Sequence, residues 1–182
     1  MEMSFSKRQS KTIENHTDTH ELDHLFNQHW ERICNVLYRL VGDWDEAEDI
    51  ALETFLRLYQ RPPRRKDNLG GWLYRVATNL GLNALRSRKR RQQYEQQIDP
   101  ISLMERSVEN PAEIYERKQE RQKVQAVLSS MKPRSAQILV LRHSGFAYAE
   151  IAEALGISPG SVGTLLSRAE KEFERLYEVA TG

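Results

Sequence analysis

The chain has 182 residues, 29% of them charged, yet its formal net charge is only +1. That length holds one or two small domains. Its single cysteine, Cys34, excludes a disulfide framework and fits a reducing cytoplasm. No apolar run is long enough to cross a bilayer, and the opening residues MEMSFSKRQSKT lack a signal-peptide core, so no membrane insertion is expected.

Residues 1–19 are polar and read as a mobile tail. His16, His20 and His24 recur four apart, which suits either a metal ion or a solvated helix start. No HExxH motif supports zinc-protease chemistry. Leu22, Leu25, Phe26, His29, Ile33, Val36, Leu37 and Leu40 make the stripe of a long amphipathic helix closed by Gly42. Asp43 and Glu46 have capping-box spacing and open a second helix. Its core face is Ala47, Ile50, Ala51, Thr54, Phe55, Leu58 and Tyr59. Asp45, Glu46, Glu48, Asp49 and Glu53 make its first half acidic, which suits either the helix dipole or a basic partner.

Pro62 and Pro63 stop that helix, and the loop Arg61 to Gly71 is basic. A third helix carries Trp72, Leu73, Val76, Ala77, Leu80, Ala84 and Leu85 inward and ends in Arg86, Arg88, Lys89, Arg90 and Arg91. Beside Trp72, Tyr74, Asn79 and Asn83, those cations read as a nucleic-acid face: cations neutralise phosphates, aromatics stack on bases and asparagines read base edges. The plain alternative is a solvated helix end whose charges suit the dipole.

Gln92 to Asn110 has weak periodicity and contains Pro100. Helical period resumes at Val124, Val127, Leu128 and Met131, and Pro133 opens a short helix with Ile138, Leu139 and Leu141. Ala147 to Arg168 then reads as a helix-turn-helix. Ile151, Ala152 and Leu155 share one face, Gly156 suits the left-handed stop, Ser158 is an N-cap and Pro159 a first helical residue. Val162, Leu165, Leu166, Ala169, Phe173 and Leu176 bury the second helix. Its opposite face carries Ser161, Thr164, Ser167, Arg168 and Lys171, suited to phosphates and base edges in a major groove. The plain alternative is two helices of an ordinary bundle. The expected fold is all-α: a tail over 1–19, a first helical domain over 20–91, a flexible linker over 92–118 and a second domain with the helix-turn-helix over 119–182.

The segments DWDEAEDIALETFLRLY (43–59), GWLYRVATNLGLNALRSRKRR (71–91), LSSMKPRSAQILVLR (128–142) and YAEIAEALGISPGSVGTLLSRA (148–169) occur in this order. The chain resembles bacterial RNA polymerase sigma factors of the extracytoplasmic-function (ECF) group over roughly residues 22–177. The resemblance implies sigma region 2 in the first domain and sigma region 4 in the second. It implies docking on the β′ coiled coil of core RNA polymerase through Asp45, Glu48, Asp49, Glu53, Phe55 and Leu56, with the β flap as a further polymerase contact. It implies melting and holding of minus-10 DNA by Arg64, Arg65, Asn68, Trp72, Tyr74, Asn79, Asn83, Arg86, Arg88 and Arg90. It implies reading of duplex minus-35 DNA by Ser158, Pro159, Gly160, Ser161, Thr164, Ser167, Arg168 and Lys171. Relatives often have a lysine or arginine where this chain has Gly163. An anti-sigma factor is an implied partner, no cofactor or metal is implied, and no long C-terminal extension leaves room for a sensory domain. The runner-up is a stand-alone helix-turn-helix repressor or activator. An enzyme finds no support in phosphate-loop, nucleophile or metal motifs.

Overall fold

The computed structural model describes residues 6–64, 66–98 and 111–181, with side chains placed for 20–64, 66–94 and 116–180. Among the described residues there are seven helices and no strand: α1 (Ser6–Val41), α2 (Trp44–Gln60), α3 (Leu69–Ile98), α4 (Pro111–Ser130), α5 (Pro133–His143), α6 (Tyr148–Leu155) and α7 (Pro159–Thr181).

Local chemistry sets the breaks. Gly42 turns the chain at φ +78°, a backbone region that costs glycine nothing, and its N–H donates to the Tyr38 carbonyl at 2.8 Å. Asp43 then caps α2, its carboxylate accepting the Glu46 N–H at 2.8 Å. α2 buries Ala47, Ile50, Ala51, Thr54, Phe55 and Leu58. The Thr54 hydroxyl is satisfied by donating to the Ile50 carbonyl at 2.8 Å, so a polar side chain sits in the core without an unpaired donor. α3 crosses α1 closely at Gly81, where a Cβ would meet Leu40 Cδ2 at 2.6 Å.

α3 is the shared element of the molecule: it packs on α1 and α2 on one side and on α4, α5 and α6 on the other. The buried apolar residues run as one cluster from Ile33 and Leu37 through Leu73 and Leu82 to Leu141, Phe146, Ile151 and Val162. The two halves are therefore joined by packing as well as by the chain between them.

Four expectations change. The stretch expected as a tail is helical from Ser6 onward. The stretch 92–118, expected as a flexible linker, is helical at both ends, because α3 runs to Ile98 and α4 begins at Pro111; residues 99–110 lie outside the described residues. The stretch 92–118 is rich in Gln, Glu, Arg and Lys, which favour helix without any apolar period, so periodicity underestimates it. Tyr59, placed on the core face by spacing, is 56% exposed, lying near the end of α2 where few elements cover it. Ser158, expected to cap through a backbone N–H, instead hydrogen-bonds the Ser161 hydroxyl at 2.7 Å.

Candidate nucleic-acid interface

The turn between α6 and α7 is built as its residues require. Gly156 sits at φ 62°, ψ 45°, and the Ile157 N–H donates back to the Ala152 carbonyl at 2.9 Å, closing α6. The start of α6 is held by Glu150, whose carboxylate accepts the Ala147 N–H at 2.7 Å. Val162, Leu166 and Ala169 are buried and anchor one side of α7. Its other side is then forced outward. Ser158, Pro159, Gly160, Thr164, Ser167, Arg168 and Lys171 are exposed along one face, with Ser161 half-buried at its flank.

The loop before α3 and the face of α3 are arranged differently. Arg64 is exposed, and Arg65 lies outside the described residues. Asn68 caps α3, accepting the Gly71 N–H at 2.7 Å, while its amide donates across to the Glu153 carbonyl of α6 at 2.9 Å. Trp72 is half-buried. Tyr74 is buried, its hydroxyl paired with His29 Nδ1 at 3.0 Å and its ring edge-on to Phe146 at 4.7 Å. Asn79 and Asn83 are exposed one turn apart.

The basic end of α3 splits in two. Arg86 donates to the Ser129 carbonyl at 3.1 Å and the Met131 carbonyl at 3.3 Å, at the end of α4. Arg88 donates to the Val41 carbonyl at 3.2 Å, at the end of α1, and pairs with Glu46. Lys89 reaches the Ser130 hydroxyl at 2.8 Å. These cations sit where helix C-termini gather partial negative charge and leave carbonyls unpaired. Arg90 is exposed and, among the described residues, hydrogen-bonds only Ser87.

Where α3 meets α6, charged and aromatic groups lock together. Arg32 of α1 pairs with Glu150 at 2.6 Å and lies 3.8 Å over the Phe146 ring. Its hydrogen bond holds the Glu150 carboxyl below the usual carboxylate range. Burial lowers His29 and raises Tyr74, and Arg32 beside His29 lowers it further. Gln137 of α5 donates to the Arg75 carbonyl at 3.1 Å and to Thr78 Oγ1 at 3.2 Å. A cavity of about 490 Å³ opens beside this junction, lined among others by His24, His29, Asn68, Tyr74, Glu150 and Glu153. Arg32, Gln137, Phe146 and Glu150 are not picked out by sequence. Phe146, a large apolar residue between two helices, was the available signal.

On α2, Asp45, Glu48, Asp49 and Glu53 are exposed, and Leu56 is 46% exposed, whereas Phe55 is 4% exposed and belongs to the core. Leu52, 49% exposed, joins Leu56 as an apolar ridge beside the acidic residues. Glu53 pairs with Arg57 at 2.7 Å, and the Trp44 indole donates to Glu48 at 3.0 Å. His20 and His24 are exposed, and the side chain of His16 lies outside the described residues.

Known proteins carry the same two blocks. Residues 25–91 match the family described as Sigma-70 region 2, and residues 121–173 the family described as Sigma-70, region 4. The ECF RNA polymerase sigma factor SigE of Mycolicibacterium smegmatis is 31% identical over 153 residues, 83% of this chain and 59% of the relative. The RNA polymerase sigma factor YlaC of Bacillus subtilis is 27% identical over 157 residues, 85% of this chain and 90% of the relative. The chain spans about half the length of the first curated relatives it matches. The solved structure of CnrH in complex with the cytosolic domain of CnrY has the same fold, with a TM-score of 0.51 at 17% identity, covering 88% of this chain and 90% of that one.

Proposed function

Because the chain belongs to the ECF group of the sigma-70 family, we propose that it is a promoter-specificity subunit of bacterial RNA polymerase. The first domain, 20–91, docks on the polymerase β′ coiled coil through the acidic face and apolar ridge of α2, and holds melted minus-10 DNA with the loop and α3. The second domain, 119–182, meets the β flap and lays α7 in the minus-35 major groove. The protein works in the cytoplasm, is not itself an enzyme, and leaves phosphoryl transfer to the polymerase. An anti-sigma factor is its natural negative partner.

The observation that carries this reading is the open polar face of α7, where Ser158, Pro159, Gly160, Thr164, Ser167, Arg168 and Lys171 are exposed opposite buried Val162, Leu166 and Ala169. A helix so presented fits a groove of duplex DNA. The loop before α3 is in the opposite situation: α6 covers Asn68 and Phe146 covers Tyr74. Minus-10 DNA therefore requires the halves to separate, and docking each half on polymerase supplies the free energy.

Run-off transcription with core polymerase on a library of genomic fragments tests the assignment. Specific transcripts that need both the chain and core polymerase are expected. Tight binding of the chain alone to duplex fragments, with no transcript when core is added, would instead establish a stand-alone regulator.

A further inference from the structure

A cavity of about 400 Å³ lies where the end of α1 meets the second half of the chain, between α4, α5 and α7. Its walls are mostly apolar: Val124 and Leu128 of α4, Leu139 and Val140 of α5, and Phe173 of α7. That volume and lining suit a small organic molecule. The Phe173 ring is held in place from behind: it stacks on Tyr177 at 5.8 Å, and the Tyr177 hydroxyl donates to Glu120 of α4 at 2.6 Å. α1 contributes Arg39 to the lining, so the site as formed belongs to the packed arrangement of the two halves.

The polar groups of the lining select the occupant. Ser144 has its hydroxyl buried with no hydrogen-bond partner among the described residues. Such an orphan costs free energy that a polar group of a ligand can return. Glu170 and Glu174 stand one turn apart on the Phe173 side of α7, both exposed, and neither has an ion-pair partner among the described residues. Like charges at that spacing repel, and a cation between them relieves the repulsion. Arg39 carries the opposite charge, but its guanidinium already donates to the His143 carbonyl at 3.2 Å, at the C-terminal end of α5. The unanswered charge at this cavity is therefore negative.

We propose that the cavity binds a small cationic amphiphile. A compact apolar body rests against Leu128, Leu139 and Phe173, and a protonated amine sits between Glu170 and Glu174, with the Ser144 hydroxyl turned inward to accept from it. An occupant held between α1 and α7 favours the packed arrangement and so opposes separation of the halves. That consequence rests on the promoter reading, and the binding itself does not.

The test titrates the full chain by calorimetry with 1-adamantylamine, 1-adamantanol and 1-adamantanecarboxylate, which share one apolar cage and differ in charge at neutral pH. The amine is expected to bind with a Kd of roughly 0.1 to 1 mM, about tenfold tighter than the alcohol, and the carboxylate more weakly than either. Glu170→Gln with Glu174→Gln should abolish the preference for the amine and leave the thermal midpoint unchanged, since both residues are exposed. Ser144→Ala should weaken the amine about threefold while the midpoint stays the same or rises, because the lost hydroxyl had no partner. No binding of the amine, or equal affinity for all three compounds, would overturn the site. A fall in midpoint for Ser144→Ala would give that hydroxyl a structural role and overturn its part in binding. At about nine times its Kd the amine should also lower affinity for core polymerase about tenfold. Unchanged core affinity with the amine bound would overturn the bracing of the halves. Absence of core binding without the amine would sink the promoter reading, and the titrations would still decide the site.

Discussion

On α7, Gly160, Thr164, Ser167, Arg168 and Lys171 stand open to solvent, and neither cation is held by another side chain among the described residues. Around α3, Asn68, Tyr74, Arg86 and Arg88 are all engaged by other parts of the fold. Both faces mix polar and basic residues on amphipathic helices, so composition does not separate them. The difference lies in what passes nearby. α7 is the last of the described helices, and among the described residues nothing packs over the outer side that carries Thr164, Ser167, Arg168 and Lys171. α3 lies in the middle, and its cations meet the carbonyl ends of α1 and α4. A basic cluster therefore divides into groups that hold the fold and groups left over for a partner.

The acidic side of α2 belongs with the open face, so its chemistry needs no separation of the halves. Asp49→Lys with Glu53→Lys should lower affinity for core polymerase on the order of tenfold or more, by replacing complementary charge with repulsion. Fluorescence anisotropy of labelled protein against core checks this, and circular dichroism should show the fold retained. Undiminished affinity would remove α2 from the docking surface.

The junction is the next largest effect. Arg32 and Glu150 are each about two-fifths exposed, so their pair is screened and modest, but the stacking of Arg32 on Phe146 adds to it. Arg32→Glu or Glu150→Arg should raise affinity for single-stranded minus-10 DNA in the absence of polymerase about fivefold. The double exchange should return most of that gain, since the opposite charges meet again. The exchange in both directions is read by filter binding.

Arg88 and Arg90 sharpen the division within one cluster. Arg88→Ala should lower thermodynamic stability by about 1 kcal/mol, as the Val41 carbonyl and Glu46 lose their partner. Arg90→Ala should change stability by less than about 0.5 kcal/mol. It should instead weaken promoter binding on all sequences alike and flatten the salt dependence by about 0.9 in slope. Urea titrations and salt-dependent binding separate the two.

What the sequence makes legible is whatever is decided within a few residues. Gly42, Asp43 with Glu46, and Gly156 set helix ends through bonds to neighbours in the chain, and Val162, Leu166 and Ala169 set the buried side of α7 through spacing alone. Arg86 and Arg88 are different: their partners lie more than forty positions away, at helix ends that arrive only through tertiary packing. Phe55 sits one residue from exposed Leu56, and only the approach of α1, with Phe26 and Trp30 against the Phe55 ring, decides which is buried. The same holds for Arg32 and Glu150, whose meeting depends on how the halves pack.

The smallest effect is on pH. His29 is lowered from its ordinary value of 6.5 in the packed arrangement. When the halves part, the share of its burial that α6 and Phe146 supply is relieved, while Arg32 and His24 stay beside it on α1, so it binds protons more readily. Packing is thus fully present above about 6.5 and weakens as pH falls from there toward the lowered value. Glu150, lowered from 4.5, adds to packing above that value and loses its contribution only as pH falls through its lower one. Thermal midpoints between pH 7 and pH 5 should therefore decline less steeply in His29→Gln than in the native chain.

The central claim, that α6 covers the promoter loop in the free chain and leaves it on polymerase, is tested most directly by distance. Spin labels at Arg64 and Glu153, with buried Cys34 replaced by alanine, report the span between loop and α6 by pulsed electron resonance. A short, narrow distance in the free chain that lengthens when core polymerase is added is the predicted result. A distance unchanged on polymerase, or long and broad already in the free chain, would contradict it.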